Sequence, residues 1–433
     1  MISFEEILAE YKPDSEEQSR IVSVRDNLLK QIHGFLVRNG IDAKPALVGS
    51  VAKGTNLKGG DLDIFIVFSK KYSNSEMEKT GLRIGHTVIP GGKEKYAEHP
   101  YVSGIIDGTK IDVVPCFEIT VNSKLISSVD RTPLHTDYVL KNLDEKRRDE
   151  VRLLKLFMKR TGVYGSEIKV SGFSGYVCEI LIIKFGSFID VIKMFARSKG
   201  PVVVPEGGSD VSRFRSAVII IDPTDESRNA AAAVSEENLA RMKIASKMFL
   251  DKPDSGFFGK PKDFVASSYR DRGTFQRIFL LERPDIIDDI LYSQAIRFKG
   301  IIFQILEEEG FYPISSDFAI SDEIEVFVEC KLEVLPKTRV HKGPPVDTPN
   351  VKEFIEKWSS GSAVRGPYVC GDRLCVDVAL DKRTIEEVVR KKIMEYGIGK
   401  NIDPLKNAME IVDPSKTGRK FSVLGKFYEE SIL

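Results

Sequence analysis

Long apolar runs are missing from this sequence. No window of its 433 residues approaches the uninterrupted length a membrane helix needs, so no spanning segment is expected. The start, MISFEEILAEYKPDSEEQSR, has neither a basic n-region nor an apolar h-region and does not read as a signal peptide. Cysteine is scarce. Cys116, Cys178, Cys330, Cys370 and Cys375 are scattered, odd in number and without C-x-x-C spacing. That pattern points to reduced thiols in a cytoplasmic protein and away from a structural zinc site. Histidine is equally scarce: none of the five stands in an H-E-x-x-H or Ser-His-Asp context, which leaves zinc proteases and hydrolytic triads unsupported. An excess of charge is also absent, with 64 Lys plus Arg against 64 Asp plus Glu. A nonspecific polyanion binder usually carries a basic surplus, so the balance weighs against one while leaving room for a local basic groove.

What is present is an ordinary globular composition, 42% hydrophobic, in a chain too long for one core. About two to four domains are expected. Asp14 and Ser15 offer caps, with Glu17 or Gln18 at capping-box distance, for a helix carrying Ile21, Val24, Leu28, Ile32 and Leu36 up to Gly40. KPALVGS, DLDIFIVF and KIDVVPCFEI read as strands around an AKGTNLKG turn or short helix, which makes a small α/β or α+β domain ending near residue 140. A helical block follows. In DEKRRDEVRLLKLFMKRTG, Val151, Leu154 and Met158 share one side, while Arg148, Arg152, Lys155 and Lys159 run along another as a solvated or ligand-facing stripe. GYVCEILIIKFGSFIDVIKMFA is apolar nearly all round, SAVIIIDPTD is a strand, and Ser235 caps a helix running to Phe249. LDKPDSGFFGKPKD is the clearest linker. Beyond it lie a strand near 275–281, a long helix after Pro284, and EIEVFVECKLEVL. In that last strand Glu325, Glu329 and Glu333 face away from the apolar side, as for a sheet with one wet face. A last helix is expected near Thr384.

The chemistry begins in GSVAKGTNLKGGDLDIFIVF. Asp61 and Asp63 head a strongly apolar strand, two residues apart and therefore on one face, roughly 6–7 Å from each other. Aspartate is disfavoured in strands, and like charges at the mouth of a dry one repel and resist desolvation. Divalent cations remove both penalties, and Mg²⁺ favours a few carboxylates plus substrate phosphates. Asp112, in GTKIDVVPCF, is another lone acid entering an apolar strand; if the two strands are neighbours, the three carboxylates could hold a pair of ions. Upstream, Gly49 allows backbone to approach a phosphate, Ser50 offers a hydroxyl at the start of a turn or helix, and Lys53 adds a point charge. A P-loop is excluded: Gly49 and Gly54 have the spacing, but Thr55 stands where the motif requires Lys. GFSGY lacks the second glycine of a nucleophile elbow.

These residues resemble the DNA polymerase β-like nucleotidyltransferases, in which GS is followed by a D-x-D strand and a third Asp. More closely, YAEHPYVSGIIDGTKIDVVPCF, SSVDRTPLHTDYV, EVRLLKLFMKRTGVYGSEIKVSGFSGYVCEILI and DPTDESRNAAAAVSEENLARM resemble the archaeal-type (class I) CCA-adding tRNA nucleotidyltransferases, from about Pro45 to Phe249 and more faintly to the C-terminus. The resemblance implies untemplated transfer of C, C and A from CTP and ATP to a tRNA 3′ end, with Mg²⁺ as cofactor and pyrophosphate released. It implies Asp61, Asp63 and Asp112 as catalytic metal carboxylates. It implies Ser50, Lys53, His135, Lys155, Tyr164 and Arg228 as nucleotide-binding residues, Arg228 reading the base edge, with Arg131, Thr132, Asp222 and Asp225 nearby. Glutamate is frequent in the family where Asp61 stands, and arginine where Lys53 stands. Both changes keep the charge; the first shortens its reach and the second loses the bidentate fork.

The implied fold class is α+β and multidomain. An N-terminal polymerase β-like nucleotidyltransferase domain is expected over 1–142 and a central helical base-recognition domain over 143–258. An α/β C-terminal tRNA-binding region is expected over 259–433, where LPKTRVHKGPP is the candidate for gripping the RNA arm. No membrane partner is expected, and a homodimer is among the expected states. Left open are a poly(A) polymerase, an oligoadenylate synthetase, or a non-catalytic RNA-binding relative, although such relatives usually lose a carboxylate and all three are present.

Overall fold

The computed structural model describes residues 2–96, 98–119, 127–204, 210–381 and 383–431. Two compact units emerge, Met1–Lys262 and Asp263–Ser431. The first unit opens with α1 (Phe4–Tyr11) and α2 (Ser15–Arg38). Asp14 caps α2 by accepting the Glu17 N–H at 2.9 Å. Glu17 does not close a capping box; its carboxylate accepts the Gly59 N–H at 2.7 Å and so ties the helix to the loop ahead of the D-x-D strand.

β1 (Ala43–Val48), α3 (Gly49–Lys53), β2 (Leu62–Phe68), α4 (Asn74–Val88), β3 (Lys93–Tyr96), β4 (Pro100–Ile106) and β5 (Thr109–Phe117) follow. The strands form one sheet in the order β1-β2-β5-β4-β3, with β2 and β5 parallel and the other pairs antiparallel. Period-two alternation sends Leu62, Ile64, Ile66 and Phe68 into one core with α2 and α4. Phe65 and Val67 enter a second core with Val48, Val114 and Cys116. Both faces of β2 are covered, which is why its sequence reads as a continuous apolar run. Helix α4 lies close on the sheet because two glycines face it. A Cβ at Gly81 would stand 2.5 Å from Pro115 Cβ, and one at Gly85 would stand 2.6 Å from Val102 Cβ.

The rest of the unit is α5 (Thr132–Asn142), α6 (Glu145–Arg160), α7 (Gly175–Phe185), α8 (Phe188–Arg197), β6 (Val202–Val204), β7 (Val218–Asp222), β8 (Asp225–Asn229) and α9 (Glu236–Asp251). Helix α6 corrects one expectation. Every residue from Val151 to Met158 is buried, including Arg152 and Lys155, so the middle of its basic stripe is no solvated face, while Arg148 and Lys159 at its ends are half-buried. The Arg152 guanidinium donates to the Asn56 carbonyl at 2.9 Å and the Gly54 carbonyl at 2.5 Å. Phe257 and Phe258, inside the segment read as a linker, are buried against Phe157, Phe188 and Phe249.

The second unit contains β9 (Phe275–Glu282), α10 (Asp288–Glu309), β10 (Pro313–Ile320), β11 (Glu323–Cys330), β12 (Thr338–Pro345), α11 (Val351–Ser359), β13 (Arg365–Cys370), β14 (Arg373–Ala379), α12 (Ile385–Lys392), β15 (Glu410–Val412) and α13 (Ser422–Glu429). Its larger sheet runs β10-β11-β9-β15, and a smaller one runs β12-β14-β13. Two expectations fail here. Thr384 caps α12, but α13 follows it, so α12 is not the last helix. The glutamate face of β11 is not wet either: Glu325 is 4% and Glu329 1% exposed. Val423 and Leu424 of α13 close over that face beside Phe327, and Glu325 accepts the Val423 N–H at 2.7 Å. Glu329 accepts from Arg272, Thr274 and Ser315. A glutamate can sit under a helix when donors meet it there, as they do fully for Glu329 and less so for Glu325, whose carboxyl burial raises.

The contact at Gly81 yields a stability prediction. Gly81→Ala gains about 0.5–1 kcal/mol of helix propensity and loses about 1–3 kcal/mol to overpacking against Pro115. Net destabilisation, read as a lower denaturant midpoint with an unchanged slope, is the expected result.

Candidate functional site

Strand register builds the first half of the site. In the parallel β2–β5 pair Asp63 lies opposite Asp112, and in the antiparallel β1–β2 pair Val48 lies opposite Asp63. Both carboxylates therefore share one face of the sheet and line a cleft of about 270 Å³ with Val48, Phe65, Tyr101, Val114, Val129 and Thr132. Gly49 has φ +75°, and a Cβ there would collide with Asp63 Oδ2. Glycine is thus required twice, by its backbone conformation and by the room it leaves at the carboxylate.

Charge is crowded here. Burial, with the neighbouring charges of Asp112 and Asp61, pushes the Asp63 carboxyl up to about 7. Asp112 Oδ1 is buried without a hydrogen-bond partner. Asp61 stands one residue ahead of β2 and turns its Oδ2 to the Lys110 ammonium, which is also 3.9 Å from Asp112 Oδ2. Among the described residues no three His, Cys, Asp or Glu side chains are already gathered on one point as metal ligands. The donor chemistry nevertheless fits a divalent cation: three carboxylates, one of them raised by burial and by its charged neighbours, and another with a free oxygen.

A second acid organises the phosphate side. Glu179 of α7 is fully buried. Its Oε2 accepts from Lys53 Nζ at 2.5 Å, its Oε1 accepts from Thr55 Oγ1 at 2.6 Å, and Lys155 Nζ lies 3.6 Å from Oε1. Lys155 in turn donates to the Thr55 carbonyl and hydroxyl, both at 3.1 Å. Burial pushes Glu179 up, but the two ammonium groups outweigh it and hold the carboxyl below its ordinary value. Burial also holds Lys155 below its ordinary value, against the pull of Glu179. Two cations share one anion, which leaves a positive cluster beside α3. Ser50 lies on α3 itself, half-buried. Tyr164 packs nearby, 3.0 Å from where a Cβ on Gly175 would be, with Lys159 over its ring.

A third acid builds a larger cavity of about 620 Å³, whose lining includes Arg131, His135, Tyr176, Phe214 and Arg228. Asp222, at the end of β7, is fully buried. Its Oδ2 accepts from His135 Nε2 at 2.9 Å and Arg228 Nη1 at 2.8 Å, and its Oδ1 accepts from Tyr176 at 3.0 Å and Thr224 at 2.8 Å. Burial pushes this carboxyl up, but His135 and Thr224 outweigh it and keep it ionised well below the usual range. Burial holds the imidazole below its ordinary value despite that carboxylate. The ring is stacked on Tyr176, centroids 3.9 Å apart. Arg131 pairs with Asp225 at 3.2 Å. The N-terminus of α5 joins the two spaces, since Thr132 lines the smaller and His135 the larger.

The sequence-predicted residues thus fall into three groups: Asp63 and Asp112 together with Asp61 at their edge; Lys53, Lys155 and Tyr164 beside Ser50; and His135 with Arg228. Sequence reasoning missed Lys110, Tyr101, Tyr176 and Glu179. Lys110 had a readable signal, a cation two residues before Asp112 on the same strand face. Glu179 had one too, as the lone acid in an otherwise apolar helix.

Family models cover most of the chain. Residues 29–135 match a nucleotidyltransferase domain, 149–259 the second domain of tRNA nucleotidyltransferase, and 272–413 the C-terminal domain of CCA-adding enzyme. The CCA-adding enzyme of Thermoplasma acidophilum is 48% identical over 433 residues, 100% of both chains. That of Picrophilus torridus is 46% identical over 433 residues, again 100% of both. That of Methanothermobacter thermautotrophicus is 38% identical over 83% of each chain. The solved structure of a cytoplasmic RNA terminal U-transferase covers 60% of this chain and 98% of its own at 17% identity and a TM-score of 0.46, too loose a likeness to bear on function.

The buried acids make two predictions. Glu179→Ala strands two ammonium groups in the interior and should cost about 3–5 kcal/mol by denaturant unfolding. Asp63 behaves oppositely. Its folded carboxyl keeps a proton up to about pH 7, against 3.8 ordinarily, so it lowers stability as pH rises through that window and most above it. Asp63→Asn should therefore raise the melting temperature in chelator by a few degrees at pH 8 and by less than half as much at pH 5.

Proposed function

The chain belongs to the CCA-adding enzyme family, and from that membership we propose how its own residues perform the reaction. It is a nucleotidyltransferase that adds C, C and A to the 3′ end of tRNA. In our reading CTP and ATP are the donors, no template is used, and residues 1–142, 143–258 and 259–433 divide the work into chemistry, base recognition and tRNA binding. The observation that carries the chemistry is the side-by-side placement of Asp63 and Asp112 next to the space Gly49 leaves.

The tRNA 3′-oxygen forms a bond to the α-phosphorus, the α–β bridging P–O bond breaks, and pyrophosphate leaves with the electron pair. Asp112 Oδ1, the carboxylate oxygen without a partner, accepts the proton of the attacking hydroxyl. Asp61, Asp63 and Asp112 would hold a divalent cation, Mg²⁺ in our reading, which would supply Lewis-acid polarisation and make the hydroxyl more acidic. Ser50 donates its hydroxyl to the triphosphate. The positive surplus of the Lys53–Glu179–Lys155 cluster meets the charge that develops on the leaving group. Tyr164 packs the inner wall of that cluster. His135, stacked on Tyr176, and Arg228, held by Asp222, wall the larger cavity, where the Arg228 guanidinium presents planar donors to a base edge.

One guanidinium is too little to exclude purines twice and a pyrimidine once, so the RNA end completes the pocket. Recognition of tRNA then rests on duplex shape and backbone contacts. The exposed β12, carrying LPKTRVHKGPP, and α11, with His341, Phe354 and Trp358 clustered between them, are the candidates for gripping the arm. A cytoplasmic location suits the five free cysteines, four of them buried.

Purified protein given tRNA that lacks its 3′ end should add two residues with CTP alone and stop after three with CTP and ATP. Run-on with ATP alone would overturn the reading. Asp112→Asn should abolish addition while tRNA affinity stays within a few fold; equal loss of both in a folded variant would count against the carboxylate chemistry. Arg228→Ala should blur the choice between CTP and ATP more than it slows turnover, and unchanged selectivity would move base reading elsewhere.

A further inference from the structure

Lys110 is the cation for which the reaction above has no use. It sits on β5 two residues before Asp112, on the same face, and its ammonium reaches Asp61 Oδ2 and lies 3.9 Å from Asp112 Oδ2. Among the described residues no other lysine or arginine forms an ion pair with Asp61, Asp63 or Asp112, and Lys53, the nearby alternative, is committed to Glu179 at 2.5 Å. Three acids crowded at the end of a sheet need a counter-charge whenever no ion is bound.

We propose that Lys110 is a resident stand-in for the divalent cation: its ammonium steadies the acidic cluster in the ion-free enzyme and is displaced from Asp61 when an ion binds. The proposal rests on the reading that these carboxylates hold a divalent ion. Exposure gives the mechanism its direction. The Lys110 side chain is 42% and Asp61 41% exposed, so their pair is partly solvated and weak. A doubly charged ion with three carboxylate partners outcompetes it, and the long lysine stem lets the ammonium move out into water without disturbing β5. Asp61 thereby has two alternative partners, and the charge at the cluster never falls to zero. The arrangement also explains why the carboxylates are not gathered as ligands of one point: Asp61 is turned to the lysine. One cost follows, since the enzyme holds an ion less tightly than the same acids would without Lys110.

The test uses the full chain and Mn²⁺ alone, with binding read by electron paramagnetic resonance and melting temperature measured in chelator and in saturating Mn²⁺. Lys110→Met should bind Mn²⁺ roughly fivefold more tightly, the equivalent of about 1 kcal/mol. It should melt lower than the parent in chelator and level with it in Mn²⁺. Lys110→Arg, which keeps the charge, should stay within twofold of the parent in affinity. Lys110→Gln replaces the Met variant if that one is insoluble. If Asp112→Asn loses Mn²⁺ binding while Lys110→Met matches the parent in affinity and chelator melting, Lys110 is an ordinary surface pair and the proposal is overturned. Weaker Mn²⁺ binding by Lys110→Met would overturn it as well. If Asp112→Asn binds Mn²⁺ like the parent, the failure lies in the carboxylate reading itself.

Discussion

Two aspartates forced side by side by strand register are the constraint around which the first unit is organised. Parallel pairing of β2 and β5 puts Asp63 opposite Asp112, and that pairing is held by apolar cores on both faces of the sheet. Sliding the register by one residue would turn Leu62, Ile64, Ile66 and Phe68 out of their core, so the packing that stabilises the sheet also prevents the acids from separating. The repulsion is therefore built in and cannot relax through backbone movement. Gly49 and the loop behind it keep the space beside Asp63 open. Relief has to come from a positive charge, and the chemistry uses that need.

The buried acids divide by how well they are satisfied. Asp222 accepts from His135, Arg228, Tyr176 and Thr224, and Glu179 accepts from Lys53 and Thr55 with Lys155 close by. Their carboxyls stay below the ordinary range because donors outweigh desolvation. Such acids position other groups; Asp222 aims a guanidinium and an imidazole, and Glu179 aims two ammonium groups. Asp63 is raised instead, and Asp112 keeps a lone oxygen. Those acids have binding capacity left for a ligand. In the second unit Glu329 belongs to the satisfied kind, with Arg272, Thr274 and Ser315 as donors, while burial raises Glu325 despite the Val423 N–H it accepts.

Much of the fold could be read from residue order. The Asp14 cap of α2, the apolar β2, the Thr384 cap of α12 and the strand near Phe275 all stand where local pattern placed them. The misread charged faces share one cause. Arg152 and Lys155 on α6, like Glu325 and Glu329 on β11, carry charges that alternate with apolar residues as solvated faces do, and all four are buried. Alternation reports which residues share a face, but not whether another element will later cover it. The cover for Arg152 and Lys155 is the loop at 54–56, about a hundred residues earlier in the chain, and for Glu325 it is α13, about a hundred residues later.

The sequence by itself determined the local elements, the like-charged pair at the head of β2, and a third acid entering its own apolar strand. It also carried the likeness to CCA-adding enzymes. Only the tertiary structure decided that Asp112 stands opposite Asp63, that Asp61 turns to Lys110, and that Lys53, Thr55 and Lys155 converge on Glu179. The reason is physical. Periodicity and capping act over a few residues and are written in neighbouring side chains, whereas charge pairing in a low-dielectric interior depends on distances that only packing across the chain can set.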